Sequence, residues 1–499
     1  MKVVLVILGA IACLTAGYLT AVALDPSLYS EAALIPVIFA TLVVLICLNI
    51  PIAVALAISA ILGLVLTEGT SSIVTVALDM YDGSTKFSLI AIPMFVLAGA
   101  IMNAGGVTDR LINFVAALIG FVRGGLAMVN IGVSLFFAEI SGSAVADVAA
   151  MGSILIPQMK KRGYKAPFAA AVTSSSASLA IIIPPSIPMI LYATSAQDTS
   201  VEELFVAGIV PGVLGAAGLM FVAWLFARKY NLPTEEAFNL RRLRETFLEA
   251  LPAFSLPVII LGGIFGGFVT ATEAAGLAVL AALLVSGWHS AEDDVKARLA
   301  AARADGASLG RRVGVVLYGA RRILTGGFAE RENRRHLRKA MLDGGMQTAV
   351  VMLLVAASVL MGGFLTRAQV PQDLAAWLLG ITQNKWVILL ILNFFFLVIG
   401  CFLHSAAAII LVVPIVMPLI IAADIDPVHF GLVVTLNLAI GQQTPPVASV
   451  LITACAVARA NIWDVTKVNI YFIAVLMTVL LLCTYVPSVP LFLVEYFYR

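Results

Sequence analysis

Apolar segments, each long enough to cross a bilayer as a helix of roughly 20 residues, follow one another along almost the whole chain of 499 residues. In lipid, every backbone polar group must be satisfied within the protein, which restricts such a chain to very few architectures. Hydrophobic residues make up 61% of the chain and charged residues 12%, which is about half the charged fraction of a soluble domain. The sequence therefore predicts an all-α polytopic membrane protein.

Double prolines interrupt two of these apolar segments. The stretch IGQQTPPVAS at 440–449 and the stretch IIIPPS at 181–186 each lie inside an apolar run. Proline lacks a backbone donor and clashes with the preceding turn, so Pro184-Pro185 and Pro445-Pro446 must open their helices. Carbonyls freed at membrane depth are tolerated only where protein or a cavity satisfies them. Each break therefore predicts a polar site within the membrane.

The two breaks belong to an internal repeat. An offset of 261 residues places Pro157 on Pro418 and Pro184-Pro185 on Pro445-Pro446. The linker after Pro157 is the basic KKRGYK, whereas the linker after Pro418 is the acidic ADIDP, so we expect the two copies to have inverted topology. Inverted repeats with broken helices are typical of secondary transporters, whose sites lie near the midplane where the repeats meet.

Clusters of basic residues indicate the orientation. They lie at 159–165, at 228–244 and at 291–345, and the last cluster holds twelve lysines and arginines against seven acids. Since positively charged loops stay in the cytoplasm, we place all three clusters there. The segment 291–345 is predicted to be a cytoplasmic insertion that either lies on membrane lipids or forms a plain solvated loop. No nucleic acid is expected among the partners.

These patterns divide the chain into five predicted segments. They are an extra N-terminal transmembrane helix at 1–30, a first repeat at 31–245 with a re-entrant hairpin at 126–158 and a broken helix at 166–193, a transmembrane pair of the second half at 246–290, the basic insertion at 291–345, and the rest of the second repeat at 346–499 with a hairpin at 386–422 and a broken helix at 428–458. The alternative for residues 1–30 is a signal peptide.

Each hairpin tip is predicted to face one break. A tip and an unwound helix together offer free carbonyls with hydroxyl or amide oxygens, which suits Na⁺, while exposed helix N-termini suit an anionic substrate group. The predicted cation-binding residues are Ser141, Gly142 and Ser143 with Pro184 in the first copy, and His404 and Ser405 with Gly441, Gln442, Gln443 and Thr444 in the second.

Several long motifs resemble those of one transporter family. They are IPMFVLAGAIMNAGGVTDRLINF (92–114), GGLAMVNIGVSLFFAEISGSAVADVAAMGSILIPQM (124–159), IIIPPSIPMILYA (181–193), TATEAAGLAVL (270–280) and LNLAIGQQTPPVASVLITACAVA (436–458). In this order they resemble the large membrane subunit of tripartite ATP-independent periplasmic (TRAP) transporters, the DctM-like family. The similarity covers most of 31–290 and 346–495.

The resemblance implies a scaffold and a mobile transport domain that work by an elevator motion in the bacterial inner membrane. It also implies Na⁺ as the coupling ion, a small DctQ-like membrane subunit and a DctP-like periplasmic binding protein that delivers a small organic anion such as a carboxylate or sugar acid. By the same resemblance, Ser186 and Arg367 are expected to meet the substrate's charge, and Pro185 and Pro445 at the two breaks are also predicted to bind substrate. The alternative for Arg367 is an interfacial arginine that snorkels to the outer membrane surface.

Three features depart from the family pattern. The second hairpin tip carries His404, where the family often has an acid, and histidine is a poor Na⁺ ligand. One hypothesis is that it creates a pH-sensitive step, because histidine titrates near neutral pH. The other departures are the segment 1–30 before the usual start of the family and the long insertion around 289–335.

Other classes of protein fit less well. The chain has only four histidines and five cysteines, none at the spacing of a metal or catalytic cluster, and it lacks the HExxH, GxGD and GxSxG patterns, so we expect no enzyme. A channel would show a repeated filter element along one pore. The closest competitor is a divalent anion:Na⁺ symporter of similar hairpin architecture that works without a binding protein.

Overall fold

The computed structural model describes residues 31–499, except 49, 197–198, 235–236, 305–313, 316 and 319–330, together with 9, 16, 17, 19 and 20. Side chains are not described at every one of these positions, and those of 139–141 are among the ones left out. Most of the predicted N-terminal helix or signal peptide (1–30) and the centre of the predicted insertion (291–345) therefore lie outside the described residues.

The described residues form helices joined by short connections. In chain order, the α-helices with assigned bounds are α1 Glu31–Cys47, α2 Ile52–Glu68, α3 Ile73–Ser84, α4 Ala91–Ala104, α5 Val107–Ile119, α6 Gly125–Ser141, α7 Ala144–Lys161, α8 Ala166–Ala177, α9 Ile187–Ser195, α10 Val201–Lys229, α11 Leu240–Phe265, α12 Ala271–Ala304, α13 Arg331–Arg367, α14 Val370–Ile381, α15 Lys385–Phe402, α16 Ser405–Ala422, α17 Pro427–Gly441, α18 Ser449–Ala458, α19 Ile462–Tyr485 and α20 Ser488–Tyr498. Short 3-10 turns lie at Thr70–Ser72, Phe87–Ile90 and Ser178–Ile181.

Within the described part of the chain, seven helices are long and apolar enough to cross a membrane. They are Val201–Lys229, Leu240–Phe265, Ala271–Trp288, Met341–Arg367, Lys385–Phe402, Ser405–Ala422 and Ile462–Tyr485. Other apolar helices, including α8, α17 and α18, are too short to span alone. The predicted class of an all-α, multi-pass membrane protein is confirmed.

The chain divides into two compact units. The first comprises Met1–Phe87, Ala349–Asn384 and Ala406–Asp424, and the second comprises Ser88–Thr348, Lys385–Ser405 and Ile425–Arg499. In the first unit, the ring of Phe364 lies against Gly63, where a Cβ would approach it to 2.7 Å, so α13 packs closely on α2.

The second unit contains both broken helices. Several of its helices start at polar residues whose side chains accept backbone N–H groups, which satisfies donors that a helix leaves unpaired at its start. These capping residues are Ser200 before α10, Asn239 before α11, Asp426 before α17 and Asn461 before α19. The boundaries of these helices therefore follow from local sequence.

Arg499 joins two of these helix starts. Its guanidinium group donates to Asp426 at 2.5 Å and to Glu203 at 3.0 Å. Burial alone would raise the pKa of the Asp426 carboxyl, but hydrogen bonds from the backbone N–H groups of His429 and Val428 and from Arg499 outweigh it, so the pKa is lowered. The carboxylate thus stays charged at the N-terminus of α17, where the helix dipole favours a negative charge.

Helices α15 and α17 meet where both approach the second break. A Cβ added to Gly441 would lie 2.6 Å from the Cα of Gly400, and one added to Gly400 would lie 3.1 Å from the Cα of Gly441. Since real Cβ atoms do not approach backbone atoms to 2.6 Å, the two helices need a glycine at 441 to pack as they do. Small residues at helix contacts are the usual device for close packing in membranes.

We expect Gly441→Ala to destabilise the protein by about 1–3 kcal/mol, because the added methyl group overpacks a backbone contact. The measurement is thermal unfolding in detergent. The matched control is Gly262→Ala in α11, where no atom of the described residues lies within 4 Å of the added Cβ. Equal melting temperatures for the two variants would contradict the close contact.

Candidate functional site

The first broken helix opens between α8 and α9. After Ala177 the chain makes one 3-10 turn, and an irregular stretch through Pro184-Pro185 leads to the start of α9 at Ile187. The prolines are buried. Ser186 is fully buried, and its hydroxyl donates to the carbonyl oxygen of Ile181 at 2.8 Å across the break. Ser186 was predicted to bind substrate, and in the structure its hydroxyl group bridges the two sides of the break.

The first hairpin tip lies directly against this break. Gly142 separates α6 from α7 with φ of +57°, a conformation that favours glycine. A Cβ at this position would lie 3.2 Å from the carbonyl oxygen of Pro185 and 3.3 Å from the backbone nitrogen of Ile187. The structure thus brings Gly142 together with Pro185 and the N-terminus of α9, and Ser143 follows directly as the residue before α7. The side chain of Ser141 lies outside the described part.

The second broken helix opens between α17 and α18. Thr444 donates its hydroxyl hydrogen to the carbonyl of Ile440 at 3.0 Å. Beyond Pro445-Pro446, the N–H of Ala448 donates to the carbonyl of Cys401 at 3.3 Å, which joins the break to the C-terminal end of α15. The nearby tip residues differ in exposure, since His404 is exposed whereas Ser405 is buried.

Gln443 is held by a buried hydrogen-bond cluster. The hydroxyl of Ser175 in α8 lies 2.8 Å from Gln443 Oε1 and 2.7 Å from Asn469 Oδ1 in α19, and its single proton serves one of them at a time. Gln443 Nε2 donates to the carbonyl of Ala439 at 3.2 Å. The side-chain amide of Gln443 therefore has protein partners on both sides.

Both breaks present a carbonyl to the long helix that follows them. Asn469 Nδ2 in α19 donates to the carbonyl of Gln443 at 3.4 Å. The position 261 residues earlier than Gln443 is Ile182, and the position 261 earlier than Asn469 is Gly208. A Cβ at Gly208 in α10 would overlap the carbonyl oxygen of Ile182. Equivalent carbonyls thus face equivalent helix positions, with an amide donor in one copy and a close glycine contact in the other.

Buried asparagines join the first arm of each hairpin to the broken helix beside it. In α6, Asn130 donates to the Thr173 hydroxyl at 2.7 Å. In α15, Asn393 accepts a hydrogen bond of 2.7 Å from Asn437 and donates to Thr484 at 3.1 Å. The sequence analysis missed these residues. One signal could have identified them, because the two asparagines lie 263 positions apart in two apolar helices.

Several buried polar atoms at the breaks have no hydrogen-bond partner among the described residues. Gln442 is 1% exposed, and neither its Nε2 nor its Oε1 is paired. The same holds for the hydroxyl oxygens of Ser174 in α8 and of Ser449 at the start of α18. An unpaired buried polar group costs about 1–3 kcal/mol, so such a group calls for a ligand. Sequence reasoning identified Gln442 but missed both serines.

These atoms suit a small hard cation. The N–H of Val450 donates to the carbonyl of Gln442 at 3.2 Å, so the start of α18 folds back on the break. Oxygen atoms of hydroxyl, amide and carbonyl groups are the ligands that transporters offer to Na⁺ at unwound helices. Among the described residues, no group of three His, Cys, Asp or Glu residues could hold a transition metal.

Arg367 belongs to the first unit. Its guanidinium group donates to Asp79 at 2.6 Å and lies 3.7 Å from Glu68. Two carboxylates therefore offset its positive charge, and its side chain is 36% exposed. Its contact with substrate stays a prediction.

Comparisons with known proteins agree with the motifs. A family model described as the DctM component of the tripartite ATP-independent periplasmic transporter matches residues 39–489. The chain is 36% identical over 459 residues to the isethionate TRAP transporter permease protein DctMQ of Oleidesulfovibrio alaskensis, covering 92% of this chain and 66% of that protein. It is 34% identical over 427 residues to the C4-dicarboxylate large permease protein DctM of Pseudomonas aeruginosa, covering 86% and 91%.

Two further likenesses extend this result. The sialic acid large permease protein SiaM of Vibrio cholerae is 34% identical over 449 residues, covering 90% of this chain and 96% of that protein. Among solved structures, the YdaH transporter of Alcanivorax borkumensis superposes with a TM-score of 0.54 at 14% identity, covering 85% of this chain and 89% of that chain. This second likeness concerns the fold alone.

Removal of the Asn469 side chain tests the cluster around Gln443. We expect Asn469→Ala and Ser175→Ala each to lower the stability by about 1–3 kcal/mol, because each leaves a buried polar group unpaired. Thermal unfolding of both single variants and the double variant gives their coupling. The control is Thr478→Ala in α19, whose hydroxyl is exposed and bonds only within its own helix. Strictly additive losses would show that the two side chains do not interact.

Proposed function

Because the chain belongs to the DctM family of large permease subunits of TRAP transporters, we propose that it imports a small organic anion together with Na⁺. Its relatives are transporter permeases, and the chain is a transport protein rather than an enzyme. The observation that carries the Na⁺ proposal is the Gln442 side chain, which is buried at a helix break and whose two polar atoms have no hydrogen-bond partner among the described residues.

Na⁺ is proposed to bind where Gln442 and its neighbours hold oxygen atoms that receive no hydrogen bond from the part of the chain that the structure describes. Gln442 Oε1, the Ser449 hydroxyl and the Ser174 hydroxyl are the candidate ligands. In the first copy, the corresponding place lies between Gly142 and Pro185, where a Cβ added to Gly142 would lie 3.2 Å from the carbonyl oxygen of Pro185. Gln443 is assigned a structural role instead, because Ser175 and Ala439 already bond its amide.

The anion is proposed to bind near the starts of α9 and α18. Backbone N–H groups at helix N-termini carry partial positive charge and suit an anionic group. The names of its relatives include isethionate, C4-dicarboxylate and sialic acid, which are all organic acids or their anions. A small organic anion is the substrate class that these names and the helix termini support together.

The remaining parts of the proposal follow from the family. We propose that a small DctQ-like membrane subunit and a DctP-like periplasmic binding protein complete the transporter, since the family is tripartite by description. The bacterial inner membrane is the proposed location. The hairpins and broken helices are proposed to move as a transport domain against a scaffold in an elevator cycle.

The direct test is uptake into proteoliposomes that contain the chain and its small subunit. A panel of labelled organic acids is offered with and without the cognate binding protein and with and without an inward Na⁺ gradient. We expect uptake only when both are present. Uptake without the binding protein would place the chain among free-standing divalent anion:Na⁺ symporters, and uptake unaffected by sodium would overturn the coupling.

Replacement of Gln442 tests the cation site. We expect Gln442→Leu to raise the Na⁺ concentration for half-maximal uptake about tenfold or more, since loss of a ligand worth about 1.4 kcal/mol changes an affinity tenfold. The same change at the exposed Gln372 in α14 is the control. An unchanged sodium dependence in Gln442→Leu would remove this residue from the site.

A further inference from the structure

A cluster of aromatic rings lies where α8, α10 and α19 meet, within the second unit. The ring centroid of Phe168 in α8 lies 5.5 Å from that of Phe226 in α10 and 6.2 Å from that of Phe472 in α19. These three rings are buried, whereas Tyr230 after α10 and Tyr471 in α19 are 39% and 55% exposed. Because tyrosine is enriched at membrane–water interfaces, the two exposed rings indicate that this edge of the cluster lies at the interface.

Helices α10 and α19 pack antiparallel beside this cluster. The ring centroids of Phe226 and Tyr471 are 5.3 Å apart, and a Cβ added to Gly218, earlier in α10, would overlap Val475, later in α19. Both helices are long and apolar enough to cross a membrane. The end of α10 at Lys229 and the start of α19 therefore share one side of the membrane, which the basic clusters assign to the cytoplasm.

Three exposed lysines accompany the two exposed tyrosines at this end. Lys165, the residue before α8, places its Nζ atom 5.1 Å from the centroid of the Tyr230 ring, which is a cation–π contact. Lys229 is the last residue of α10 and precedes Tyr230. Lys467 lies one turn before Tyr471 on the same face of α19. The three lysines thus come from three helices that meet at one surface.

The protein offsets little of this positive charge. Among the described residues, neither Lys165 nor Lys229 forms an ion pair. Lys467 lies 3.1 Å from Asp464, but their side chains are 76% and 57% exposed, and such surface pairs contribute little. The partial positive charge at the N-terminus of α8 adds to that of Lys165. A surface of this kind attracts an external anion.

The surface that continues from the lysines towards the membrane interior is apolar. Leu225 in α10 and Ile470 in α19 are 46% and 59% exposed, and Ala474, one turn beyond Ile470, is also exposed. A small soluble anion gains nothing from apolar surface, whereas a hydrocarbon chain does. The cationic end and the apolar surface together fit a molecule with an anionic head and a hydrocarbon tail.

We propose that Lys165, Lys229 and Lys467 bind the phosphate group of an anionic phospholipid in the cytoplasmic leaflet, whose acyl chains lie along α10 and α19 beside Tyr471. Basic pockets between membrane helices on the cytoplasmic side are suited to anionic headgroups, and lysine binds phosphate as a point charge. The bound lipid holds the start of α8, the first half of a broken helix, against α10 and α19. The proposal rests on the packing of these helices and not on the proposed transport function.

A reporter beside the site tests lipid selectivity. Ala474→Cys carries a bimane fluorophore, and the full chain is placed in phosphatidylcholine nanodiscs with a minor share of spin-labelled phosphatidylglycerol or, as reference, of spin-labelled phosphatidylcholine. The parent chain treated in the same way is the blank for native cysteines. We expect phosphatidylglycerol to quench the label about fivefold more strongly at equal mole fraction, which one lysine near an anionic headgroup suffices to produce. Equal quenching by the two lipids would overturn the proposal.

Replacement of the lysines tests which charges hold the headgroup. In the Ala474→Cys background, we expect Lys165→Gln and Lys229→Gln each to reduce the ratio of the two quenching values about two- to fivefold. The double variant Lys165→Arg with Lys229→Arg keeps both charges and should keep the ratio. The control is Lys385→Gln, which removes a lysine that lies 5.3 Å from the Trp386 ring at the start of α15. A ratio that survives both glutamine variants, or falls equally in the control, would overturn the assignment of these lysines.

The ratio cancels changes in the exposure of the label, so a disturbed local fold does not imitate the loss of a headgroup site. Inorganic phosphate, added at constant ionic strength, distinguishes a lipid headgroup from a soluble phosphate. We expect excess phosphate to leave the ratio unchanged, because the free ion lacks the acyl chains that bury apolar surface. Loss of the preference in phosphate would overturn the lipid as the ligand and identify a site for a soluble anion.

Discussion

A carbonyl oxygen released from a helix inside a membrane must be met by the protein itself, and this requirement governs the structure around both breaks. At the first break, α10 approaches so closely at Gly208 that no side chain fits beside the carbonyl of Ile182. At the second, Asn469 reaches from α19 and donates to the carbonyl of Gln443. The broken helices therefore help to determine where the long helices α10 and α19 pack, and these long helices in turn stabilise the breaks.

The two copies solve this problem with different chemistry, and the difference bears on function. The first break is closed by local contacts, including the Ser186 hydroxyl and the apposed Gly142. The second contains two adjacent glutamines: the side chain of Gln443 is bonded to protein, whereas the side chain of Gln442 is buried with no hydrogen-bond partner among the described residues. The repeated sequence thus produces two breaks that differ in polarity. The second, more polar break is the better candidate for a cation site.

Much of this arrangement could be predicted from sequence because its causes are local. Proline cannot continue a helix, so the positions of both breaks followed from Pro184-Pro185 and Pro445-Pro446. The helical membrane class followed from the length of the apolar segments. The repeat could also have identified Asn130 and Asn393, since they recur at nearly the repeat offset. Single polar residues in apolar helices are, however, easily interpreted as residues of helix packing.

The sequence by itself determined that this chain is a helical membrane protein with two proline-broken helices, and its motifs identified the DctM family. Only the tertiary structure decided which polar groups at the breaks remain available. Gln442 and Gln443 are chemically identical neighbours, yet of the two only Gln443 is bonded by Ser175, which lies 268 positions earlier in α8, and by Asn469, which lies 26 positions later in α19. Hydrogen bonding depends on distances of about 3 Å, and such distances between remote segments exist only once the chain is packed.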